Sequence, residues 1–362
     1  MLKKTTIFTA LFIGLTNLLY GQPLVFSPIT IPDALYGSAY SNQTLTVTGG
    51  MAPYTFSITT GNLPMGMSLS GAGIISGTPT VAGAYSFTVT AQDNSTPVPI
   101  SGSQGYTLVV DQAVLTITAN NASMTYGGTV PSLGVSYSGF VNGDNASSLT
   151  TQPTATTTAT AASPAGTYPI TPHGGASLNY SFIYVNGTLA VAQAVLTITA
   201  NPAGSVYGAP LVPAGSLTVS YSGFVNGDGP GNMTVLPTVT NTATPGAAAG
   251  SYTLTPSGAV NPNYVIQYTN GVYTISAAPL TIKANDASMT YGGAVPSLAV
   301  SYTGFVNGDG ASSLTTQPTL STAATSASPA GTYPISASGA VDPNYTFTYQ
   351  AVMVWSCPST LS

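Results

Sequence analysis

The sequence predicts an all-β protein built from tandem small β domains, and three observations support this prediction. Residues that favour β-strands are abundant, whereas glutamate and arginine are missing and only three lysines occur. The 40 glycines and 28 prolines supply turns between short strands. The hexapeptide Gly-Phe-Val-Asn-Gly-Asp recurs at intervals that match the length of a small domain, at 139–144, 223–228 and 304–309.

Low charge combined with many glycines and prolines is also typical of disordered chains. Here, however, 43% of the residues are hydrophobic and 22 are tyrosines. A chain of this composition can bury enough apolar surface to offset the entropy lost on folding. We therefore expect folded domains.

The N-terminus has the pattern of a signal peptide. Lys3 and Lys4 form a positive segment, the stretch that follows to Leu19 is uncharged and mostly apolar, and Gly21 precedes a plausible cleavage point. We predict a signal peptide at 1–21 and a mature chain that is secreted or exposed on a bacterial cell surface. The alternative is an uncleaved membrane anchor, for which the apolar stretch is short.

The charge of the mature chain argues against two classes of partner. Without the signal peptide, eight aspartates face Lys283 alone, a formal charge of about −7. Binding to nucleic acid or to an anionic membrane surface requires clustered lysine and arginine, which this chain lacks. Glycine, proline, asparagine and threonine interrupt every later apolar segment, so we expect no membrane span after signal cleavage.

Residues 22–111 are predicted to form a first domain that differs from the rest. Tyr85, Phe87 and Val89 alternate with small polar residues, a pattern that buries one face of a strand. The segment Leu-Pro-Met-Gly-Met-Ser-Leu from Leu63, followed by Gly-Thr-Pro and Ala-Gly-Ala-Tyr, resembles the Ig-like, cadherin-like domains of bacterial surface proteins. The resemblance implies an Ig-like sandwich.

Three repeats follow, and we place them at 112–192, 193–277 and 278–362. Each repeat opens with an alternating strand, turns at a Tyr-Gly pair, and reaches the hexapeptide after a second strand. The Asn-Gly pair of the hexapeptide accepts a positive φ at both positions, which predicts a tight turn. We expect a hairpin to close each repeat, from Asn179 to Val191 in the first.

Other phrases recur with the hexapeptide, namely Tyr-Gly, Ala-Gly-Thr/Ser-Tyr and Asn-Tyr. Their spacing places a three-residue insertion between Tyr207 and Gly223, where a loop absorbs it at little cost. With Tyr-Gly at Tyr126, Tyr207 and Tyr291, the repeats resemble MBG domains of the type that carries a Tyr-Gly-x motif. The resemblance implies a β-rich extracellular module, with a relative of the β-grasp fold as the candidate architecture, that occurs in tandem in adhesin-like proteins and brings no catalytic residues.

The third repeat ends differently from its siblings. The only tryptophan and the only cysteine, Cys357, fall in its last 13 residues, so we interpret this end as truncated or frame-shifted. A final strand from Ala351 to Val354 could still close the sheet; otherwise the repeat would expose an edge. A lone cysteine leaves no disulfide to stabilise the domains.

The sequence offers little for catalysis. Acid–base chemistry with paired carboxylates has no glutamate to use, and Asp144, Asp228 and Asp309 each follow a turn, where helix or turn capping is the expected role. In the first repeat we expect Asp144 to cap one helical turn. The sole histidine, His173, has no nucleophile or metal partner in the pattern. We therefore predict a non-enzymatic protein with no catalytic, cofactor-binding or metal-ligating residue.

Three possibilities remain open. Because cadherin-like modules bind calcium between domains, Asp93 and Asp111 are candidate ligands, although calcium needs more oxygens than they supply. An intramolecular isopeptide bond would require a lysine in each repeat; only Lys283 exists, so this bond is excluded for two of the three repeats. Tyrosines could stack on sugars, although their alternation on strands favours core packing.

The expected function is adhesion by a tandem array that presents weak binding faces together. Glycans, mucins or matrix proteins are the expected partners. The alternative is a spacer that projects another domain from the surface, and a more distant one is an accessory region of an extracellular polysaccharide-degrading enzyme. An exposed patch that core packing does not explain would favour a binder over a spacer.

Overall fold

The structure, a computed structural model, describes residues 22–357 and the side chains of residues 22–353. The predicted signal peptide lies outside this range. Strands dominate, and the only helical segments in the described chain are four short 3₁₀ turns. Among the described residues, none of the helical segments is long and apolar enough to cross a membrane. The predicted all-β fold is confirmed.

The chain forms two compact units, which are described separately. The first unit contains the described residues up to Met124 together with Gly128–Val191. The second contains Thr125–Gly127 and the chain from Ala192 onward.

The N-terminal domain lies in the first unit and has nine strands in three sheets. The strands are β1 Val25–Ser27, β2 Ala34–Leu35, β3 Tyr40–Thr44, β4 Thr46–Thr48, β5 Thr55–Gly61, β6 Met67–Leu69, β7 Ile74–Gly77, β8 Gly83–Gln92 and β9 Ser101–Asp111. The sheet orders are β2-β9-β8-β5, β3-β7-β6 and β1-β4. The alternation predicted for β8 buries Phe87 and Val89 and leaves Tyr85 half-buried, as expected from the two-residue period.

Each repeat contains seven strands. The first has β10 Ala113–Ala119, β11 Ala122–Thr125, β12 Val135–Ser138, β13 Thr154–Thr157, β14 Gly166–His173, β15 Tyr180–Val185 and β16 Gly187–Ala192. The second has β17 Ala194–Ala200, β18 Ala203–Val206, β19 Val219–Ser222, β20 Thr238–Asn241, β21 Gly250–Ser257, β22 Tyr264–Thr269 and β23 Gly271–Ser276. The third has β24 Ala278–Ala284, β25 Ala287–Thr290, β26 Val300–Thr303, β27 Thr319–Thr322, β28 Gly331–Ser338, β29 Tyr345–Gln350 and β30 Val352–Cys357.

The three repeats share one topology of two packed sheets. In the first repeat a three-stranded sheet, β12-β10-β15, faces a four-stranded sheet, β11-β16-β14-β13, and the other repeats have the equivalent orders. The first strand of each repeat lies at the centre of the smaller sheet. This strand pairs antiparallel with the third strand of its repeat, which is β12, β19 or β26. It pairs parallel with the sixth strand, which is β15, β22 or β29.

The predicted closing hairpin is wrong. β15 pairs with β10 in the smaller sheet, whereas β16 pairs with β14 in the larger one, so the chain changes sheets at Asn186 and Gly187. Alternation of apolar residues is the same in either arrangement and cannot decide which strand pairs with which. A Cβ at Gly187 would lie 2.4 Å from the Ala119 carbonyl oxygen, so in this repeat glycine permits the close approach of two backbones.

The last strand of the third repeat does close the larger sheet. β30 pairs antiparallel with β28 and parallel with β25, so Val352 pairs with Ile335 and Val354 with Ala287. The backbone of this unusual segment therefore completes the sheet in the way the other repeats do.

The three-residue insertion of the second repeat forms a 3₁₀ turn, Ala214–Ser216, that the other repeats lack. Tyr273, which is fully buried, accepts a hydrogen bond through its hydroxyl from the Val212 amide (3.0 Å). Leu189 occupies the equivalent position in the first repeat. Leu189 and Tyr273 each lie two residues after a glycine, Gly187 or Gly271, that pairs with a buried residue of the adjacent strand. The longer loop and the larger core residue thus occur together.

In each unit, one buried apolar cluster extends over two consecutive domains. In the first unit Phe87, Leu108, Leu115, Ile117 and Tyr180 belong to one buried cluster. In the second unit the cluster joins residues of the second and third repeats, among them Leu254, Tyr273, Leu280, Ile282 and Tyr345. Within each unit, neighbouring domains therefore share apolar packing rather than being joined only by the chain.

Candidate functional site

The hexapeptide aspartate binds two tyrosines. In the first unit, Oδ2 of Asp144 accepts one hydrogen bond from the Tyr36 hydroxyl and another from the Tyr180 hydroxyl, both at 2.7 Å. The two rings meet edge to face, with centroids 5.4 Å apart. Tyr36 comes from the N-terminal domain, whereas Asp144 and Tyr180 belong to the first repeat.

The same arrangement occurs twice in the second unit. Asp228 accepts from Tyr126 at 3.0 Å and from Tyr264 at 2.7 Å. Asp309 accepts from Tyr207 at 3.1 Å and from Tyr345 at 2.7 Å. We call each set a Tyr–Asp–Tyr junction; the three junctions are Tyr36/Asp144/Tyr180, Tyr126/Asp228/Tyr264 and Tyr207/Asp309/Tyr345.

The last five residues of the hexapeptide shape the loop that reaches the junction. In the third repeat, Asn307 and Gly308 have φ values of 53° and 79°, which confirms the predicted Asn-Gly turn. The turn is closed by the Asp309 amide, which donates to the Val306 carbonyl at 2.9 Å. Phe305 packs edge to face on Tyr345, at 5.5 Å between ring centroids.

The hexapeptide valine explains why glycine follows the junction tyrosine. Gly208 has a φ of 79°, and a Cβ there would lie 2.3 Å from Cγ2 of Val306. Gly37 stands in the same relation to Val141, at 2.2 Å. Glycine is therefore required at this position for two reasons: the backbone is left-handed, and a Cβ would collide with the valine.

The two remaining recurring phrases also meet at the junction. The Ala82 amide donates to the side-chain oxygen of Asn179 at 2.9 Å, and the Ala249 amide donates to that of Asn344 at 2.8 Å. Ala82 and Ala249 begin the Ala-Gly-x-Tyr phrases, and the asparagines begin the Asn-Tyr phrases. All four recurring phrases therefore serve one contact between consecutive domains.

The capping role expected for Asp144 is wrong. The 3₁₀ turn Ala146–Ser148 is capped by Asn145, whose side-chain oxygen accepts from the Ser147 amide at 2.9 Å. Glycine occupies the same position in the later repeats, at Gly229 and Gly310. The aspartate is one residue too early to cap, and its carboxylate instead reaches the tyrosines.

Sequence reasoning did not connect Tyr-Gly with the hexapeptide. The missed signal is that the N-terminal domain, which is otherwise unlike the repeats, also carries Tyr-Gly at Tyr36 and Gly37. A Tyr-Gly pair therefore precedes every hexapeptide by about one domain. In the second unit the separation between the tyrosine and the aspartate is 102 residues in both junctions.

The junctions shift the acidity of their members. Burial alone would raise the pKa of Asp144, but hydrogen bonds from Tyr36, Tyr180 and Ser148 outweigh it and hold this pKa below the ordinary value. Burial, with the nearby Asp228 carboxylate, raises the pKa of Tyr264 to about 12. Burial and Asp309 do the same to Tyr345, also to about 12. In the first junction, the lowered pKa of Asp144 and the raised pKa values of Tyr36 and Tyr180 keep the carboxylate ionised and the phenols neutral at neutral pH.

Asp93, the first calcium candidate, is occupied by protein donors. Its buried carboxylate accepts from the amides of Met51 (2.8 Å), Ser95 (3.1 Å) and Ile100 (2.6 Å), and from the Ser95 hydroxyl. Burial raises its pKa, yet these donors outweigh burial and lower it to about 2. Asp93 thus fastens a loop of the N-terminal domain.

The other residues singled out in the sequence form no cluster of metal-binding side chains in the described part of the chain. Asp111 ends β9 and is exposed, and no group of three or more metal-binding side chains occurs among the described residues. His173 is exposed at the end of β14, and Lys283 points outward from β24. The side chain of Cys357 lies outside the described side chains.

The outer face of the smaller sheet differs between repeats. In the first repeat Val114, Ile183 and Val185 are 53%, 52% and 41% exposed on this face. The β10–β15 register pairs Thr116 with Ile183, so these apolar side chains are neighbours. At the positions of Ile183 and Val185 the third repeat has the polar residues Thr348 and Gln350.

The fold and the junctions define the class of this protein, a tandem all-β repeat protein in which an Ig-like domain precedes three two-sheet repeats. The family model described as "MBG domain (YGX type)" matches residues 115–190, 196–274 and 280–352. These matches cover more than half of the chain, so the chain belongs to this family. The model described as "Putative Ig domain" matches residues 22–111. Both resemblances inferred from the sequence are confirmed, and none of the curated proteins matches the chain.

Several solved structures are similar to the chain. The protocadherin GammaB4 extracellular domain is 12% identical over 93% of this chain and 68% of its own length, with a TM-score of 0.30. A titin I-band fragment is 13% identical over 70% of this chain and 98% of its own, with a TM-score of 0.28. A Drosophila N-cadherin structure is 8% identical over 91% of this chain and 99% of its own length, with a TM-score of 0.21. At such TM-scores these similarities carry no argument about function.

Proposed function

We propose that this chain is a secreted or cell-surface, non-enzymatic repeat protein whose tandem β domains support adhesion. The MBG and Ig-like family matches are to domain types expected in extracellular proteins. Adhesion by such an array requires surfaces that are repeated and are not consumed by the domain cores.

The observation that carries this proposal is the apolar outer face of the first repeat. Ile183 and Val185 lie two residues apart on β15, and Val114 lies on the adjacent β10. Their exposed side chains contribute to neither core cluster. In the second repeat, Val195 and Val265 are 53% and 46% exposed on the equivalent strands. Contiguous exposed apolar surface is typical of interaction sites.

The charge of the chain limits what these faces can recognise. With one lysine in the mature chain, affinity for an anionic ligand through charge is not available. Apolar contact and hydrogen bonding by the neighbouring threonines remain, which suits neutral glycans, mucin glycoproteins or matrix proteins. Several weak faces bound together would then raise the avidity.

A spacer is the second candidate, and the Tyr–Asp–Tyr junctions favour it. They hold consecutive domains through buried hydrogen bonds and apolar packing within each unit. A chain that only projects another domain would need the junctions and would not need the exposed apolar face.

The experiment is binding of purified residues 22–362 to immobilised mucins, neutral glycans and matrix proteins, with and without calcium. The test variant combines Ile183→Thr with Val185→Gln, which gives the first repeat the side chains that the third repeat carries naturally. We expect saturable binding that the variant weakens by about tenfold, equivalent to about 1.4 kcal/mol.

The matched control is Val98→Thr, which changes an apolar residue of the N-terminal domain that is 74% exposed. It should bind as the wild type does. Absence of binding to every immobilised ligand by a folded chain would reject adhesion and favour the spacer. If chelation of calcium abolished binding, this result would contradict the assignment of Asp93 to protein hydrogen-bond donors alone.

A further inference from the structure

The tyrosine of the Tyr-Gly pair in the third repeat, Tyr291, has surroundings that differ from those of its three counterparts. Tyr36, Tyr126 and Tyr207 are 3%, 7% and 7% exposed, whereas Tyr291 is 52% exposed. All four tyrosines precede a glycine with a positive φ in the same kind of turn. The difference therefore lies in what covers the tyrosine and not in its local backbone.

The glycine shows the same difference. A Cβ at Gly127 or Gly208 would lie within 2.5 Å of the hexapeptide valine, Val225 or Val306. At Gly292, whose φ is 78°, a Cβ would meet no atom within 4 Å. Ala330, the counterpart of Ala249 in the Ala-Gly-x-Tyr phrase, is exposed as well. One surface thus keeps the donor half of a junction, and we call Tyr291, Gly292 and Ala330 the terminal face.

We propose that the terminal face docks the Gly-Phe-Val-Asn-Gly-Asp loop of a further MBG domain. The loop would supply an aspartate to accept from the Tyr291 hydroxyl and a valine to lie against Gly292. An asparagine from the same domain would accept from the Ala330 amide, as Asn344 accepts from Ala249. The proposal rests on tyrosine–aspartate and glycine–valine contacts that occur three times in this chain and on an alanine–asparagine contact that occurs twice, and it does not depend on adhesion.

A second copy of this chain is a poor occupant. Its three hexapeptide aspartates, Asp144, Asp228 and Asp309, each already accept from a tyrosine of the preceding domain. The corresponding glycines already contact the valines of the same loops. The occupant must therefore be an MBG domain whose loop is unoccupied, which this chain does not contain.

The test fuses residues 193–276, a copy of the second repeat, directly after Cys357 of the full chain. This fusion places the added Asp228 102 positions after Tyr291, the separation found in both junctions of the second unit. The readout is nitration of tyrosine by tetranitromethane, followed by peptide mass spectrometry. The peptide that contains Tyr291 is unique in the fusion, so its reactivity is measured separately.

In the natural chain we expect Tyr291 to be nitrated readily and Tyr207 to be protected. In the fusion, Tyr291 should lose its reactivity and fall to the level that Tyr207 shows in the natural chain. The control fusion carries Val225→Lys in the added repeat alone, which places a charge against Gly292 and should restore nitration of Tyr291.

Three results would overturn the proposal: continued nitration of Tyr291 in the fusion, protection that survives Val225→Lys, or failure of the added domain to acquire slow hydrogen exchange. Protection of Tyr291 in the natural chain that increases with protein concentration would instead assign the face to a second copy. Sedimentation of the natural chain identifies that case, since we expect a monomer.

Discussion

The hydroxyl of Tyr207 donates a hydrogen bond to Oδ2 of Asp309, 3.1 Å away and 102 residues further along the chain. The same carboxylate oxygen accepts from Tyr345 at 2.7 Å, so one oxygen is the acceptor of two phenols. Hydrogen bonds to charged groups are stronger than neutral ones, and both tyrosines are buried. This relationship joins the second repeat to the third.

Removal of either partner should destabilise the second unit. Tyr207→Phe removes one hydrogen bond to a carboxylate and should lower the free energy of unfolding by about 1.5 kcal/mol. Asp309→Ala leaves two buried hydroxyls without their acceptor and should cost about 3 kcal/mol. Urea denaturation measures both. Tyr291→Phe is the matched control and should change nothing, because this ring is half exposed; equal losses at Tyr207 and Tyr291 would contradict the assignment.

Two glycines with the same backbone conformation should respond differently to alanine. Gly292→Ala, at a φ of 78° with open space around it, should cost only the backbone strain of about 1–2 kcal/mol. Gly208→Ala, at a φ of 79°, should cost this and a further loss of about 1–3 kcal/mol, because its methyl group would collide with Val306. Thermal unfolding of the two variants gives the comparison. The steric account fails if both lose the same stability.

The N-terminal domain should lose stability in acid through Asp93. Its folded pKa of about 2 lies below the ordinary value near 3.9, so its contribution is present above about pH 4 and is lost as the pH falls towards 2. Asp93→Asn should lower stability at neutral pH and flatten this acid dependence. Unfolding free energies measured across this range test it, and an unchanged slope in the variant would assign the acid transition elsewhere.

The second unit should lose stability in alkali through Tyr264. Burial and the Asp228 carboxylate raise its folded pKa to about 12, above the unfolded value near 10. Its contribution is therefore present below about pH 10 and is lost as the pH rises towards 12. Phenolate absorbance should show Tyr264 ionising together with unfolding. In Tyr264→Phe this late component should shrink by one phenol, leaving that of Tyr345, and the alkaline slope should become shallower; an undiminished component would place the late phenol elsewhere.

Local features of the fold were predictable because their causes are local. The φ values of 55° at Asn142 and 75° at Gly143 follow from residue types that tolerate a left-handed backbone. The buried and exposed alternation of β8 and β10 follows from the two-residue period of strands. The three-residue insertion was placed in a loop, where it forms a 3₁₀ turn.

Two local predictions failed where partners at a distance decide. Asp144 follows a turn and precedes a 3₁₀ segment, so capping was reasonable, but Tyr36 and Tyr180 hold its carboxylate and Asn145 caps instead. The segment from Tyr180 to Val191 has the alternation of a hairpin, yet its two strands belong to different sheets. Neither competing partner lies within the local window that sequence patterns describe.

The sequence by itself determined the all-β class, the tandem organisation, the turns and the family, because composition, periodicity and recurring phrases carry these properties within short windows. Only the tertiary structure decided why the phrases recur. Tyr-Gly, the hexapeptide and Asn-Tyr are complementary surfaces, contributed by consecutive domains to one junction. Residues 102 positions apart become neighbours only when both domains have folded, since a hydrogen bond depends on distance in space and not on distance along the chain.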